Sequence, residues 1–279
     1  MSIGILLALA AAVGYGAADF VGGFGSRRAG AWPVVFVGQI AGAALMLGMA
    51  LAQPGRPQAN DFAWALLAGA GTSIGTIFLY RGLARGRMGL VAPVSAVGAA
   101  LLPVGVEVAL GGRPSILVWL GVLVALPGIW LVSGEARGGT EGRSRAGLVD
   151  GAVAGAGFGV LFVALGQVPE TAGTFPLAAN QVVGALVTVI VASALRERWL
   201  PRRSALGWGI AAGCLGALGT LAFMIASQNS PLALAAVLAS LYPAVTVTLA
   251  ALVLAEHLRS AQRVGLVTCL AATALLALG

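Results

Sequence analysis

Apolar stretches of about 20 residues follow one another along the whole chain, separated by short breaks rich in arginine, proline and glycine. Ten such stretches can be read, at 3–24, 32–52, 62–82, 88–110, 116–134, 147–168, 175–195, 206–227, 232–254 and 261–278. A helix needs about 20 predominantly apolar residues to cross a bilayer, and each stretch meets that length. None alternates apolar and polar residues as a barrel strand does, and hydrocarbon admits no open sheet. The pattern predicts an all-α integral membrane protein of ten transmembrane helices. The first stretch begins at once with Ile3–Val13, with no basic segment ahead of it. It reads as a first transmembrane helix and not as a cleaved signal peptide.

The polar breaks are unequal. With ten spans, Arg27, Arg28, Arg81, Arg85, Arg87, Arg137, Arg143, Arg145, Arg196, Arg198, Arg202, Arg203, Arg259 and Arg263 fall on one side, and only Arg56 and Arg113 on the other. Short cytoplasmic loops collect basic residues, so the arginine-rich side is expected to be cytoplasmic and both termini outside. Removing any one span would scramble this segregation. The expected location is a bacterial inner membrane.

Residues 1–134 and 147–279 repeat one another. Gly14-Tyr15-Gly16 returns as Gly157-Phe158-Gly159, and Gln39 with Gly42-Ala43 returns as Gln181 with Gly184-Ala185. Ala68-Gly69 and Gly75-Thr76 return as Ala212-Gly213 and Gly219-Thr220, while Gly121 matches Gly265. Such matches in register are the mark of a duplicated unit. Five helices per unit is an odd number, so the second copy must insert upside down. The charges agree: Ser26-Arg27-Arg28 corresponds to Pro169-Glu170-Thr171, and the cluster Arg196–Arg203 corresponds to the lone Arg56. Residues 135–146 then form a short cytoplasmic linker between two five-helix halves.

Composition narrows the possibilities further. The chain is 59% hydrophobic and 9% charged, whereas a soluble domain carries about 25% charged residues. Lipid must therefore cover most of its surface. Its net charge of +7 is carried by arginine alone, for there is no lysine. That excludes a P-loop lysine and Schiff-base chemistry. The arginines lie in short loops, with no basic aromatic-rich domain, which argues for lipid contact and against nucleic acid. Cys214 and Cys269 fall within apolar spans, and His257 is the only histidine, so neither a disulfide, nor a histidine metal cluster, nor any cofactor is expected.

The sequence resembles the drug/metabolite transporter superfamily in its ten-helix EamA branch. The resemblance rests on Gly14-Tyr15-Gly16 with Phe20-Val21, its second copy Gly157-Phe158-Gly159, and the closing pattern Pro243-x-x-Thr246, Ala255-Glu256 and Gly265. One departure is that the first half has no acidic residue corresponding to Glu256; the equivalent place is near Gly112. The resemblance implies a secondary transporter of small organic metabolites, amino acids, sugars or amphipathic drugs, often moving them outward. It implies no enzymatic activity, and the lack of clustered His, Asp and Glu agrees with that. A monomer is expected to suffice.

Several polar residues inside the spans are candidates for the substrate path. Asp19 stands well within the first span, where a carboxylate costs about 2.5–3.5 kcal/mol on insertion scales. It is the candidate proton carrier, with Tyr15 one turn away on the same face; the alternative is an ion pair with Arg27 or Arg81. Gln39 and Gln181 are repeat mates, and Asn180 adjoins the second; they suit a zwitterionic or polyhydroxy ligand, or serve as interhelical glue. Thr72, Thr76 and Thr220 either line a cavity or bond their own helix backbone. Phe158 is the repeat mate of Tyr15. Pro93 and Pro103 in the fourth span and Pro243 in the ninth remove helix hydrogen bonds and are candidate hinges, with Ser95 and Tyr242 beside them. Glu107 is either a second proton site or a partner of Arg113. Trp64, Trp119 and Trp208 stand at span ends and read as interfacial anchors. The substrate expected is small and neutral or zwitterionic, because buried arginines for a multiply charged one are missing.

Overall fold

The computed structural model describes residues 3–85, 88–111, 115–134, 141–254 and 260–278. Eleven α-helices are present among the described residues: α1 (Ile3–Ala29), α2 (Ala31–Ala52), α3 (Ala59–Ala84), α4 (Met88–Ala109), α5 (Ile116–Gly134), α6 (Glu141–Leu165), α7 (Phe175–Ala194), α8 (Arg203–Asn229), α9 (Leu232–Ala239), α10 (Tyr242–Leu254) and α11 (Ser260–Leu278). Six of them, α1, α2, α3, the Arg145–Leu165 part of α6, α7 and α8, are long and apolar enough to cross a membrane. Of the expected linker, residues 135–140 lie outside the described residues, and 141–146 belong to α6.

The spans correspond to α1–α8, the pair α9–α10, and α11. The ninth is divided. α9 closes when the Ser240 hydroxyl and N–H both turn back to the Ala236 carbonyl, at 2.7 and 2.9 Å. Pro243 then occupies the second position of α10, where its missing N–H costs nothing. α4, by contrast, continues from Met88 to Ala109 through Pro93 and Pro103. It is packed along α6, and neighbouring helices support a proline-containing membrane helix in this way.

The packing is twofold. α1 lies on α8 and α3 on α6; α2 lies on α8 and α3 on α7; α9 and α10 pack on α1 as α4 packs on α6; α2 meets α7, and α5 meets α11. Exchanging α1–α5 with α6–α11 leaves these pairings unchanged. Directions complete the argument. Gly22 and Gly23 of α1 face Tyr80 and Leu83 of α3, so these two helices run parallel. Gly71 faces Gly157, and Gly82 faces Asp150, so α3 and α6 run antiparallel. Hence α6 is antiparallel to α1, its own repeat mate. The second copy is inverted.

This arrangement gathers the arginines. The ends of α1 and α3 and the starts of α6 and α8 meet at one end of the bundle, carrying Arg27, Arg28, Arg81, Arg145, Arg202 and Arg203, with Arg85 just past α3. Arg56 is at the other end, its N–H bonded to the Thr171 carbonyl at 2.7 Å. The side chains sort in the sense that lipid requires. Ile40, Leu47, Leu66, Leu186, Ile190 and Ile210 are exposed, whereas Asp19, Gln39, Ser73, Asn180, Gln181 and Thr188 are buried. Trp208, expected as an interfacial anchor, lies edge-on to Phe24 at 5.3 Å and covers Gly25 near the arginine-rich end. Its ring seals α1 against α8.

Glycine sets how closely the halves approach. A Cβ on Gly213 would overlap the backbone of Gly38, and one on Gly157 would lie 2.6 Å from the Gly75 nitrogen. Small residues let membrane helices touch backbone to backbone. We predict that Gly213→Val lowers the thermal midpoint of detergent-purified protein markedly, since overpacking costs about 1–3 kcal/mol. Gly207 lies in the first turns of α8, where an added Cβ would meet nothing within 4 Å. It should tolerate alanine and gain about 0.5–1 kcal/mol.

Candidate functional site

Between the halves, near the middle of the long helices, is a cavity of about 70 Å³. A single water needs at least about 10–15 Å³ of such space and takes about 30 Å³ in the liquid, so this holds a few waters or a small ligand. α1 contributes Tyr15, Ala18 and Asp19; α2 contributes Gln39; α3 contributes Thr72, Thr76 and Tyr80; α6 contributes Phe158 and Phe162. Gln181 comes from α7, Gly213, Gly216 and Thr220 from α8, and Tyr242 from α10.

Of the candidates named from sequence, Asp19, Tyr15, Gln39, Thr76, Phe158, Gln181, Thr220 and Tyr242 line this space. Two stand one bond behind it. Asn180 Oδ1 lies 3.0 Å from the Thr72 hydroxyl, and the Ser95 hydroxyl is hydrogen-bonded to that of Tyr242. Pro93, Pro103 and Pro243 are buried but do not line the cavity. Sequence reasoning missed Tyr80 and Phe162. Tyr80 was visible as the residue one turn beyond Thr76, and Phe162 as one turn beyond Phe158. Thr72 serves both roles considered for it, bonding the Ala68 carbonyl at 2.8 Å while facing the cavity.

All three tyrosines of the chain are cavity residues. Their seats are made by glycine: Tyr80 lies where a Gly22 side chain would be, and Tyr15 lies against Gly219. Phe158 lies against Gly75 in the mirrored position. Each tyrosine hydroxyl is engaged away from the centre. Tyr80 donates to the Ala18 carbonyl at 3.0 Å. Tyr15 donates to Thr220 Oγ1 at 3.3 Å, which itself bonds the Gly216 carbonyl at 2.9 Å. Tyr242 bonds Ser95, which bonds the Ala92 carbonyl at 2.9 Å. The rings are thereby fixed as walls, with Phe158 edge-on to Tyr242 at 6.2 Å and Tyr15 tilted to Phe162 at 6.1 Å.

Asp19 sits within electrostatic reach of all three tyrosines and is 6% exposed. Arg81, one of the two partners considered for it in the alternative reading, is engaged with Asp150. Arg81 Nε and Nη2 reach Asp150 Oδ1 at 3.0 and 2.5 Å, and Arg85 Nη1 reaches Oδ2 at 2.9 Å. Asp150, 1% exposed, was not singled out from sequence, although an acidic residue inside the sixth span was the available signal. This ion cluster joins α3 to α6, one half to the other, at the arginine-rich end. The repeat mate of Asp150 is Leu7, so the opposite end has no counterpart.

The two glutamines cross. Gln181 lies over Gly42 and Gln39 over Gly184, as the twofold requires. The Gln39 Oε1 atom is buried with no hydrogen-bond partner, and so is Asn180 Nδ2. Glu256, His257, Arg113 and Gly112 lie outside the described residues.

A sequence model of the EamA-like transporter family matches this chain twice, over residues 2–134 and 145–278. No curated protein matches it. A crystal structure of a protein 16% identical to this one superposes with a TM-score of 0.69, covering 99% of this chain and 98% of that one. At that identity the likeness concerns the fold.

The Asp150 cluster generates a prediction. Asp150 is buried while Arg81 and Arg85 are 30% and 52% exposed, so losing their hydrogen bonds to its carboxylate is worth about 1–2 kcal/mol, which changes a population about 5- to 30-fold. In a protein lacking Cys214 and Cys269, Asp150→Asn should speed maleimide labelling of Ala18→Cys from the arginine-rich side by such a factor. Unchanged labelling in oriented vesicles would show that this cluster does not close that end.

Proposed function

The chain belongs to the EamA-like transporter family, and on that premise we propose that it is a secondary transporter moving a small neutral or zwitterionic metabolite outward by alternating access. It is a multi-pass integral membrane protein, and its family is one of transporters. The observation that carries the finer reading is the position of the cavity. It lies at the interface of two inverted halves, at mid-depth, where inverted-repeat transporters hold their substrates. Its small volume and single ionisable side chain favour a small ligand without multiple charges. Amide and hydroxyl groups from Gln39, Gln181, Thr76 and Thr220 offer donors and acceptors to such a ligand.

Two features support rocking of the halves. The close contacts between them run through glycine, which lets backbones slide without interlocked side chains. The divided ninth span, with Pro243 at the start of α10, provides a point of bending beside Tyr242. In this reading the arginine-rich end faces the cytoplasm of a bacterial inner membrane, both termini are outside, and the Asp150 cluster fastens the cytoplasmic exit. A monomer contains the whole path.

Asp19 is the coupling residue of this proposal. A carboxyl group within the membrane is the kind of site that exchanges protons with its ligand. Reconstituted in liposomes, the protein should give saturable flux with counterflow, whereas a pore gives flux linear in concentration. The starting solute comes from a thermal-shift screen of amino acids, sugars and amphipathic compounds, since ligand at 100 times Kd adds about 2.7 kcal/mol. Asp19→Asn should remove the pH dependence of that flux while leaving the protein folded. A pH profile unchanged by Asp19→Asn would end the proton-coupling part of the proposal.

A further inference from the structure

Two acceptors among the described residues of the cavity lining have no donor. Asp19 is the one charged side chain on its lining, and none of the hydroxyls lining the space bonds it. Those of the three tyrosines are committed to Ala18, Thr220 and Ser95. Gln39 is also on the lining and 4% exposed, and its Oε1 acceptor, turned toward Gly184, has no partner. A buried acceptor without a donor is expensive, and an unpaired carboxylate more so. The missing group is therefore a donor, and preferably a cationic one.

The walls point the same way. Tyr15, Tyr80 and Tyr242 present fixed aromatic rings around the carboxylate, with Phe158 and Phe162 beyond them. Aromatic faces attract cations, most strongly where water is excluded. No cationic side chain lines the space to receive a second, anionic end of a ligand. The repeat mates sharpen the point. Asp19 corresponds to Phe162 and Tyr15 to Phe158, so the negative, hydroxyl-bearing pole belongs to the first half and an apolar pole to the second.

We propose that the cavity recognises a small organic ammonium ion bearing an N–H, its charged nitrogen between Asp19 and Gln39 Oε1 and its hydrocarbon part against Phe158 and Phe162. This inference rests on the transporter reading and departs from it on one point, the ligand's charge: a monocation in place of a neutral or zwitterionic molecule.

The test uses three solutes of similar shape, n-butylammonium, butan-1-ol and butyrate, with tetramethylammonium as a cation lacking N–H. Binding to the detergent-purified chain is measured by calorimetry. Butylammonium should bind about tenfold or more tightly than butanol, butyrate should bind least, and tetramethylammonium should be several-fold weaker than butylammonium. Asp19→Asn should erase the preference for butylammonium over butanol. Butanol, butyrate or tetramethylammonium binding as well as butylammonium would overturn the proposal, as would a preference that survives Asp19→Asn. Should Asp19→Asn fail to fold, the wild-type series alone decides. Liposome flux separates this inference from the reading beneath it. Saturable flux of a neutral solute without ammonium preference sinks only the inference, whereas ammonium binding with no saturable flux of any solute sinks the transporter reading.

Discussion

Backbone-to-backbone contact across the two halves is the constraint from which the rest of the molecule follows. α1 meets α8, and α3 meets α6, through glycines on both sides: Gly14 with Gly219, Gly157 with Gly75. In hydrocarbon no hydrophobic drive brings two helices together, so packing and interhelical hydrogen bonds must do so. Close approach makes both possible. It brings the Ser73 and Thr188 hydroxyls to 2.8 Å and Tyr15 to Thr220, and most of the polar contacts between helices join opposite halves. The same glycines leave the spaces that aromatic rings fill. Where larger polar and aromatic residues replace them at mid-depth, the helices part and the cavity appears.

The twofold is kept by the backbone and broken by the side chains. Helix pairing, direction and the crossed glutamines all respect it. The departures fall at the cavity and at the ion cluster: Asp19 against Phe162, Tyr15 against Phe158, Asp150 against Leu7. A symmetric scaffold supplies two equivalent ways of closing, and asymmetric side chains make the two ends chemically different. The Thr246 hydroxyl, 3.2 Å from the Gly16 carbonyl, ties α10 to α1 beside the break in the ninth span, next to the cavity wall at Tyr242.

Much of this was legible in the sequence, and the reasons are physical. Spans 20 residues long, segregated arginines and a repeat in register each follow from lipid's demand for apolar length, from topology and from duplication. Asp19, Tyr15 and the glutamines stood out because polar groups in apolar spans are costly. What escaped depended on three-dimensional pairing. Nothing in the spacing of Arg81 and Arg85 says that they converge on Asp150, 65 or more residues away. Tyr80 lies at a span end in sequence and reaches the cavity only because Gly22 admits its ring. The prolines differ in setting for a related reason: Pro93 and Pro103 sit within a supported helix, whereas Pro243 follows a turn that Ser240 closes.

The central claim is that two inverted halves enclose a mid-membrane cavity whose exits open in turn. Spin-label distances measured at both ends under the same conditions test it most directly. One pair would be Ala84 with Arg145, at the arginine-rich end of α3 and α6, and the other Ile3 with Asn229, at the opposite end of α1 and α8. As transported solute or pH shifts the population, the account predicts that one distance lengthens while the other shortens. Distances that lengthen together, or that stay fixed while transport proceeds, would contradict it.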